Sequence, residues 1–245
     1  MSRESVEWLR VQPCEKNYST NSQLSNLTIK EMIKVIIFDF DGVLVESAHI
    51  KTKAFRKLFS RWPDKADEGV AFHLKNMGIS RFLKFKYFYE NIIREPYSEE
   101  IGFKLGEEFS DIVLDEIKRA PFVRGAKTFL ENYYSKYKFF IASGTPEEEL
   151  REIVSYKGID SFFADVLGSP LTKTEIVKNV LGRDSIKSNM VVFVGDAESD
   201  RKAAEDTGVH FVLRVTSENQ AGKESCKYKI GDLAQLQEKI RGLEK

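Results

Sequence analysis

Residues 34–47 read KVIIFDFDGVLVES, and this stretch decides the fold. The four apolar residues at 35–38 end at Asp39, which is typical of a β-strand buried on both faces. Similar runs recur at 139–142, 190–194 and 211–215, with a weaker one at 166–167. Helical patterns separate most of them, at 126–134, 146–157, 173–181 and 199–205, and a last helix begins near Asp232. Strands that alternate with helices predict a doubly wound, parallel α/β sheet.

One long interval interrupts this alternation. Residues 48–120 contain no strand-like run, but three apolar stripes there have helical spacing, at 54–59, 82–93 and 101–114. We therefore expect an α-helical cap inserted after the first strand. The predicted domains are a polar N-terminal extension at 1–31, an α/β core at 32–47 and 121–245, and the cap at 48–120.

The composition favours a globular protein in a reducing compartment. Of the 245 residues 42% are hydrophobic, and 38 basic side chains balance 38 acidic ones, so no polyanion partner such as a nucleic acid is indicated. The two cysteines, Cys14 and Cys226, form no metal motif and no disulfide framework. No apolar run is long enough to cross a membrane, and the first 30 residues have no secretory signal core. The expectation is a cytoplasmic monomer or homodimer without a membrane partner.

Polar side chains follow the predicted strands at the edge where a parallel sheet binds ligands. Asp39 and Asp41 follow the first strand, and two residues apart in extended backbone they point to the same side. Ser143 follows the second strand, and Asp196 follows the run at 190–194. Adjacent carboxylates are costly without a cation, and Mg²⁺ prefers such oxygen ligands and often bridges to phosphate. A magnesium and phosphate site is therefore predicted.

These residues resemble the motifs of the haloacid dehalogenase superfamily, in the right order from about residue 34 to the end of the sequence. The first motif is similar to residues 39–47, the second to Ser143, the third to Lys173 and the fourth to Gly195, Asp196 and Asp200. The cap resembles that of the subfamily that contains phosphoglycolate phosphatase and β-phosphoglucomutase. Two departures are Val43, where threonine is frequent, and Glu46, where aspartate is frequent; the second bears on how the turn after the strand is held.

The resemblance implies a Mg²⁺-dependent phosphatase acting on a small phosphorylated metabolite. Asp39 is the implied nucleophile, which becomes an aspartyl phosphate. Asp41 is the implied general acid and base, which protonates the leaving group and then activates water. Asp39, the backbone carbonyl of Asp41 and Asp196 are the implied Mg²⁺ ligands. Asp200 is expected to support them.

The same resemblance assigns the phosphoryl oxygens to Ser143, the amide of Gly144 and Lys173. Thr145 and Glu148 have the spacing of a capping box at the start of the following helix, which predicts backbone amides aimed at the anion. In the cap, Arg81 is predicted to contact substrate, and Lys84 is a weaker candidate.

Three alternatives remain open. A phosphomutase of the β-phosphoglucomutase type would use the same site, and residues 78–81 resemble the cap segment that carries a phosphate-binding arginine in those enzymes. A non-catalytic protein that binds a phosphorylated ligand is a weaker alternative, because Asp39 and Asp41 are both present. A phospho-accepting signalling domain also clusters acids at a sheet edge, but it lacks a large cap. The histidines have no ligand-like grouping.

Overall fold

A six-stranded parallel sheet forms the centre of the computed structural model, which describes residues 32–183, 185–219 and 226–244. In chain order its strands are β1 (Val35–Phe38), β2 (Lys138–Pro146), β3 (Phe163–Ser169), β4 (Val191–Gly195), β5 (His210–Arg214) and β6 (Lys229–Ile230). Across the sheet the order is β3-β2-β1-β4-β5-β6. The chain therefore winds outward from β1 in one direction and resumes beside β1 with β4. The carboxyl ends of β1 and β4 meet at this switch point, where open α/β sheets bind ligands.

Alternate residues of the strands pack into two separate hydrophobic cores. Ile36 and Phe38 belong to the larger core, whereas Val35 and Ile37 belong to the smaller one. Five helices flank the sheet, namely α5 (Ala126–Tyr133), α6 (Glu147–Tyr156), α7 (Lys173–Arg183), α8 (Glu198–Thr207) and α9 (Leu236–Leu243). Apolar residues of α7 and α8 fill the smaller core and those of α5, α6 and α9 the larger. Both faces of the sheet are covered, as expected for apolar strands.

The segment after β1 is entirely helical between residues 48 and 119, apart from its connections. It contains α1 (Ala48–Phe59), α2 (Pro63–Lys75), α3 (Arg81–Tyr87), a π-helical turn (Phe88–Ile93) and α4 (Glu99–Arg119). The predicted fold class, a doubly wound parallel sheet with an inserted helical cap, is confirmed. Within the described residues no helix is long and apolar enough to span a membrane.

Two elements escaped the sequence analysis, and one prediction cannot be compared. The two-residue strand β6 is too short for a pattern, and α2 begins with a charged, glycine-containing stretch. The predicted N-terminal extension at 1–31 lies outside the described residues. The domain boundaries remain predictions.

Candidate active site

Lys173 joins two of the predicted acidic residues. Its Nζ atom lies 2.8 Å from Oδ2 of Asp39 and 2.5 Å from Oδ1 of Asp200, and all three side chains are buried. Burial alone would lower the pKa of Lys173, but Asp200 and Asp39 raise it above the ordinary lysine value. Lys173 is therefore a fixed positive charge beside Asp39.

A local sequence signal places Lys173 at this point. Thr172 and Glu175 form a capping box at the start of α7, with the Glu175 amide donating to Oγ1 of Thr172 and the Thr172 amide donating to the Glu175 carboxylate over 2.8 Å. Lys173 is the first residue of the helix. The cap thus fixes where α7 begins and where the lysine leaves the backbone.

Three buried carboxylates lie together at the ends of β1 and β4. Asp39, Asp196 and Asp200 each place a carboxylate oxygen within 4.8 Å of the others. Burial raises the pKa of Asp39 to about 7, despite the Lys173 ammonium. Burial, with Asp39 and Asp200 nearby, raises the pKa of Asp196 well above its usual range. One lysine does not compensate three such carboxylates, so the cluster lacks positive charge.

One carboxylate oxygen in this cluster is also unpaired. Oδ2 of Asp196 is buried and has no hydrogen-bond partner among the described residues. Gly42, with a φ of 76°, passes so close that a Cβ atom at this position would lie 2.1 Å from that oxygen. An unpaired carboxylate oxygen in an acidic cluster, approached by bare backbone, fits a hard divalent cation with oxygen ligands. The residues present therefore fit Mg²⁺.

Asp200 has a second role besides its contact with Lys173. Its Oδ2 atom accepts hydrogen bonds from the amides of Ala197, over 3.0 Å, and Asp196, over 3.2 Å, at the start of α8. A carboxylate in the first turn stabilises a helix N-terminus. Asp200 therefore orders the backbone of Asp196 while its other oxygen binds Lys173.

Asp41 lies apart from the acidic cluster and contacts different partners. Its Oδ1 atom accepts from Ser47 over 2.7 Å, and its Oδ2 atom accepts from Thr145 over 3.2 Å and from the ammonium of Lys51. Burial would raise the pKa of Asp41, but Lys51 and these hydrogen bonds hold it below its usual value. Asp39 and Asp41 thus differ in environment: one is flanked by carboxylates, the other by donors.

The predicted capping box at Thr145 is wrong. The N-cap of α6 is Pro146, and no side chain caps the helix there. The Thr145 hydroxyl instead donates to Asp41 and accepts from Lys51 over 2.6 Å. A buried carboxylate and a lysine are stronger partners than an exposed backbone amide, so they take the hydroxyl. Ser143 lies beside it, and its Oγ atom accepts from the Thr145 amide over 3.2 Å.

The core residues named above line one side of a cavity, and cap helices cover the other side. The core side contributes four of the predicted site residues together with Gly144, namely Asp39, Asp41, Ser143 and Asp196. The cap side contributes aromatic and basic side chains, namely Phe55, Phe109, Lys51, His73, Arg81 and Lys84. Lys173 is linked to this cavity through its contact with Asp39, and Asp200 is linked to it through its contact with Lys173.

Arg81 lines the cavity, but its guanidinium is already paired. Nη2 lies 2.5 Å from Oε1 of Glu149 on α6, and Nη1 donates to Ser110 of α4 over 2.8 Å. Ser110 in turn donates to the other oxygen of Glu149. The predicted contact between Arg81 and substrate stays a prediction. It requires that the guanidinium share its hydrogens between Glu149 and the substrate, or that the ion pair with Glu149 break.

Comparisons with known proteins identify the family. Residues 36–214 match the sequence profile of the family described as haloacid dehalogenase-like hydrolase. The chain belongs to this family. It is 24% identical over 196 residues to a phosphorylated carbohydrates phosphatase of Thermotoga maritima, covering 78% of this chain and 89% of that protein. It is 25% identical over 187 residues to a phosphoglycolate phosphatase of Vibrio parahaemolyticus, covering 72% of this chain and 81% of that protein.

Among solved structures, a β-phosphoglucomutase of Clostridium difficile shares the fold, with a TM-score of 0.68. The two chains are 21% identical, and the match covers 87% of this one and 97% of the other. The predicted family is confirmed, and so is the predicted class of enzyme, a phosphatase of the haloacid dehalogenase type.

Several residues of the site were missed from the sequence. Ser47, Lys51 and Thr145 contact Asp41, and Asn219 donates from Nδ2 to the backbone carbonyl of Asp196 over 2.7 Å. Lys51 carried one available signal, since it lies in the first turn of α1, one helical turn after Ser47 at the end of the first motif. Asn219 carried none, because its contact depends on how the segment after β5 folds back.

Proposed function

We propose that this hydrolase is a Mg²⁺-dependent phosphatase that removes the phosphoryl group of a small phosphorylated metabolite through a covalent intermediate on Asp39. The observation that carries the proposal is the buried cluster of Asp39, Asp196 and Asp200 around the single ammonium of Lys173, at the switch point of the sheet. Such a cluster suits a reaction whose main demand is neutralisation of phosphate charge.

Asp39 performs the first half of the reaction. One of its oxygens attacks phosphorus, and the bond from phosphorus to the leaving oxygen breaks. Lys173 is placed to hold Asp39 ionised and oriented, since it lies 2.8 Å from Oδ2. The amide of Phe40 donates to Oδ1 over 2.7 Å and fixes the rotation of the carboxylate.

Asp41 is the proposed general acid in the first half of the reaction and the general base in the second. It gives a proton to the leaving oxygen in the first step. In the second step water attacks phosphorus, Asp41 takes a proton from that water, and the bond from phosphorus to Asp39 breaks, which releases phosphate and regenerates the Asp39 carboxylate. Lys51 and Thr145 favour its ionised form, which is the form that the second step needs. An incoming phosphate brings negative charge beside Asp41 and raises its affinity for the proton that the first step needs.

Bound Mg²⁺ would supply positive charge for the phosphoryl oxygens and for the clustered carboxylates. Asp39, the Asp41 carbonyl and Asp196 are the proposed ligands, with Asp200 behind them. Asp196 has the free oxygen that such a ligand requires. Ser143, the Gly144 amide and Lys173 are proposed to bind the remaining phosphoryl oxygens.

A phosphomutase remains the second candidate, because a β-phosphoglucomutase has the same fold. Mutase chemistry needs a second phosphate anchor in the cap, and the arginine expected for that task, Arg81, is neutralised by Glu149 in this structure. Water is therefore the proposed acceptor. Glucose 1-phosphate with a trace of its bisphosphate separates the two: release of free phosphate supports the phosphatase, and efficient formation of glucose 6-phosphate supports the mutase.

The central test is a trapping experiment with Asp39→Asn. The wild type should release phosphate from p-nitrophenyl phosphate with Mg²⁺, lose this activity in EDTA and regain it when Mg²⁺ is returned. Asp39→Asn should be at least about 10³-fold slower, because an amide is a poor nucleophile of the same shape. The exposed Asp111→Asn on α4 is the matched control and should behave as the wild type. Mass spectrometry of acid-quenched wild type should place phosphate on Asp39; phosphate on Ser143 or Asp196, or full activity in EDTA, contradicts the proposal.

A further inference from the structure

Lys84 is a buried lysine of α3 that faces the cavity without a counter-charge. The residue is only 4% exposed, and its ammonium lies 5.2 Å from the centre of the Phe55 ring. Among the described residues no carboxylate lies within ion-pair distance of its Nζ atom. Burial of an ammonium without a partner is costly, and such groups normally occur paired or in contact with a ligand.

The side chain of Lys84 contacts His73, which is neutral. Nδ1 of His73 lies 3.0 Å from Nζ of Lys84, and Nε2 lies 3.1 Å from Oγ1 of Thr52. Burial, together with Lys84 and Lys51, lowers the pKa of His73 far below its usual value, so the imidazole is neutral. Nδ1 must then accept from Lys84, which leaves the hydrogen on Nε2 for Thr52.

This arrangement orients Lys84 and leaves it with unused donors. His73 is fixed from both sides, since its ring stacks on Phe55 with 4.3 Å between centroids. An ammonium has three hydrogens, and the bond to His73 uses one of them. The cavity lies next to the others, because Lys84 is one of its lining residues.

The other basic side chains that line the cavity are already neutralised. Arg81 is paired with Glu149, and Lys51 is paired with Asp41. Of the three basic residues in the lining, only Lys84 has no carboxylate partner in the part of the chain that the structure describes. The cavity wall opposite the acidic cluster therefore has one positive charge to offer an incoming anion.

We propose that Lys84, oriented by His73, binds a second anionic group of the substrate, so that the preferred substrates are small phosphate monoesters with a carboxylate or a second phosphate on the leaving group. The inference rests on the proposed phosphatase function and names the substrate class of the same site. Burial, with Lys51 and Lys173, lowers the pKa of Lys84 to about 7, and a bound anion restores its charged form. The aromatic side chains of Phe55 and Phe109 line the same cavity under the cap, which favours short substrate molecules.

The test compares three monoesters of similar length on wild type and Lys84→Met. 2-Hydroxyethyl phosphate has an uncharged leaving group, phosphoglycolate adds a carboxylate, and ethane-1,2-diol bisphosphate adds a second phosphate. The wild type should favour at least one charged substrate by tenfold or more in kcat/KM. In Lys84→Met the ratio of charged to uncharged substrate should fall about 30- to 100-fold, because a charge-assisted hydrogen bond is lost. The substrate whose ratio falls further identifies the anion.

The matched control is Lys86→Met, on the same helix, because Lys86 is exposed and pairs with Glu90. It should keep the wild-type ratio. Equal kcat/KM of wild type on all three substrates overturns the inference, and so does a Lys84→Met variant that loses activity equally on all of them. Circular dichroism establishes that Lys84→Met is folded; if it is not, the wild-type ratio and Lys84→Gln decide. Failure of the proposed function is distinct, since no monoester, p-nitrophenyl phosphate included, would then release phosphate.

Discussion

Asp39 combines two demands that oppose each other in the folded protein. A nucleophile must be ionised, yet its burial at 3% exposure, with Asp200 and Asp41 nearby, favours the protonated form. Lys173 opposes this effect only in part, since it is shared with Asp200. The divalent cation proposed for this site would supply further compensation, and its effect can be measured on stability alone.

Without metal, the contribution of Asp39 to the free energy of unfolding should fall as the pH rises from about 4 to about 7, whereas the contribution of His73, whose pKa is lowered, rises up to about pH 6.5. Asp39 has a folded-state pKa of about 7 against an ordinary 3.8, so between these values the folded protein retains a proton that the unfolded chain has lost. This stabilisation is complete below about pH 4 and is lost on the way to pH 7, at a cost of up to a few kcal/mol. Urea denaturation in EDTA across this range is the measurement. Mg²⁺ should flatten the curve, because it favours the ionised carboxylates.

Asp39→Asn is the control for this pH dependence. The amide does not titrate, so the difference between the two curves in EDTA isolates Asp39 from Asp196, whose contribution also falls with pH, and from His73, whose contribution rises. Curves of equal slope in EDTA would show that Asp39 is not the titrating group. An unchanged curve on addition of Mg²⁺ would show that the cluster does not bind the metal.

At this scale the sequence predicted which side chains meet at the sheet edge better than it predicted their hydrogen-bond partners. Asp39, Asp41 and Asp196 follow buried strands directly, so a one-dimensional pattern locates them. Lys51 and Thr145 lie 94 residues apart, yet they hydrogen-bond each other and Asp41. Contacts of this kind depend on the packing of the cap on the sheet, which no local pattern contains. The erroneous capping box at Thr145 has the same origin, because local spacing could not show the competing carboxylate.

Among the elements, the turn after β1 is held by β5. Arg214, the last residue of β5, donates from Nη1 to the carbonyl of Gly42 over 2.8 Å and binds the Glu46 carboxylate through both terminal nitrogens. The sequence analysis noted Glu46 as a departure that affects this turn. The structure gives the physical reason: the longer side chain reaches an arginine on the next-but-one strand.

Arg214→Met should loosen this turn and impair catalysis. It leaves the Gly42 carbonyl without its donor, which should reduce the free energy of unfolding by about 1–3 kcal/mol and the melting temperature by roughly 3–10 °C. Because the turn carries Asp41, kcat should also fall about tenfold. Thermal unfolding and steady-state kinetics measure the two effects. Arg183→Met, which removes a surface ion pair with Asp165 on the same domain, should change both quantities little. Wild-type kcat in Arg214→Met would show that the turn does not depend on this contact.

A helix or strand could be predicted when its apolar sequence pattern was long and uninterrupted. The first five strands appear as apolar runs because both faces of the sheet are buried. β6 has two residues and pairs only with β5, so it leaves no such run. α2 was not predicted, because its first turn is charged and Gly69 interrupts its apolar pattern. That glycine is needed where the helix meets Phe59 and Phe88, since a Cβ atom there would lie 2.6 Å from both rings.

At the scale of the whole molecule, the important feature is how the cap is attached to the core. At the cavity, two ion pairs of low exposure join the cap to the core. One links Lys51 to Asp41, and the other links Arg81 to Glu149. The sequence predicted that a helical cap is inserted, but not how it is attached. Residues 1–31 contain none of the proposed site residues, so we expect them to be dispensable for the chemistry.

Glu149→Gln tests whether the ion pair with Arg81 holds the cap over the site. Glu149 receives Arg81 from α3 and Ser110 from α4, so its charge secures two cap helices to α6. Loss of this charge leaves a buried guanidinium uncompensated, and the closed arrangement should weaken. We expect a higher KM together with a lower kcat, about tenfold in kcat/KM, and faster amide exchange in α3 and α4.

Glu152→Gln is the matched control, because Glu152 also links α6 to the cap, through Lys118, but its side chain is 57% exposed. An exposed pair contributes little, so this variant should keep wild-type kinetics and exchange. The sign of the change in KM for Glu149→Gln distinguishes two roles of Arg81. A raised KM shows that Arg81 serves to close the cap. A lowered KM shows that the freed guanidinium binds substrate, as the sequence predicted, and that Glu149 restrains it in the free enzyme.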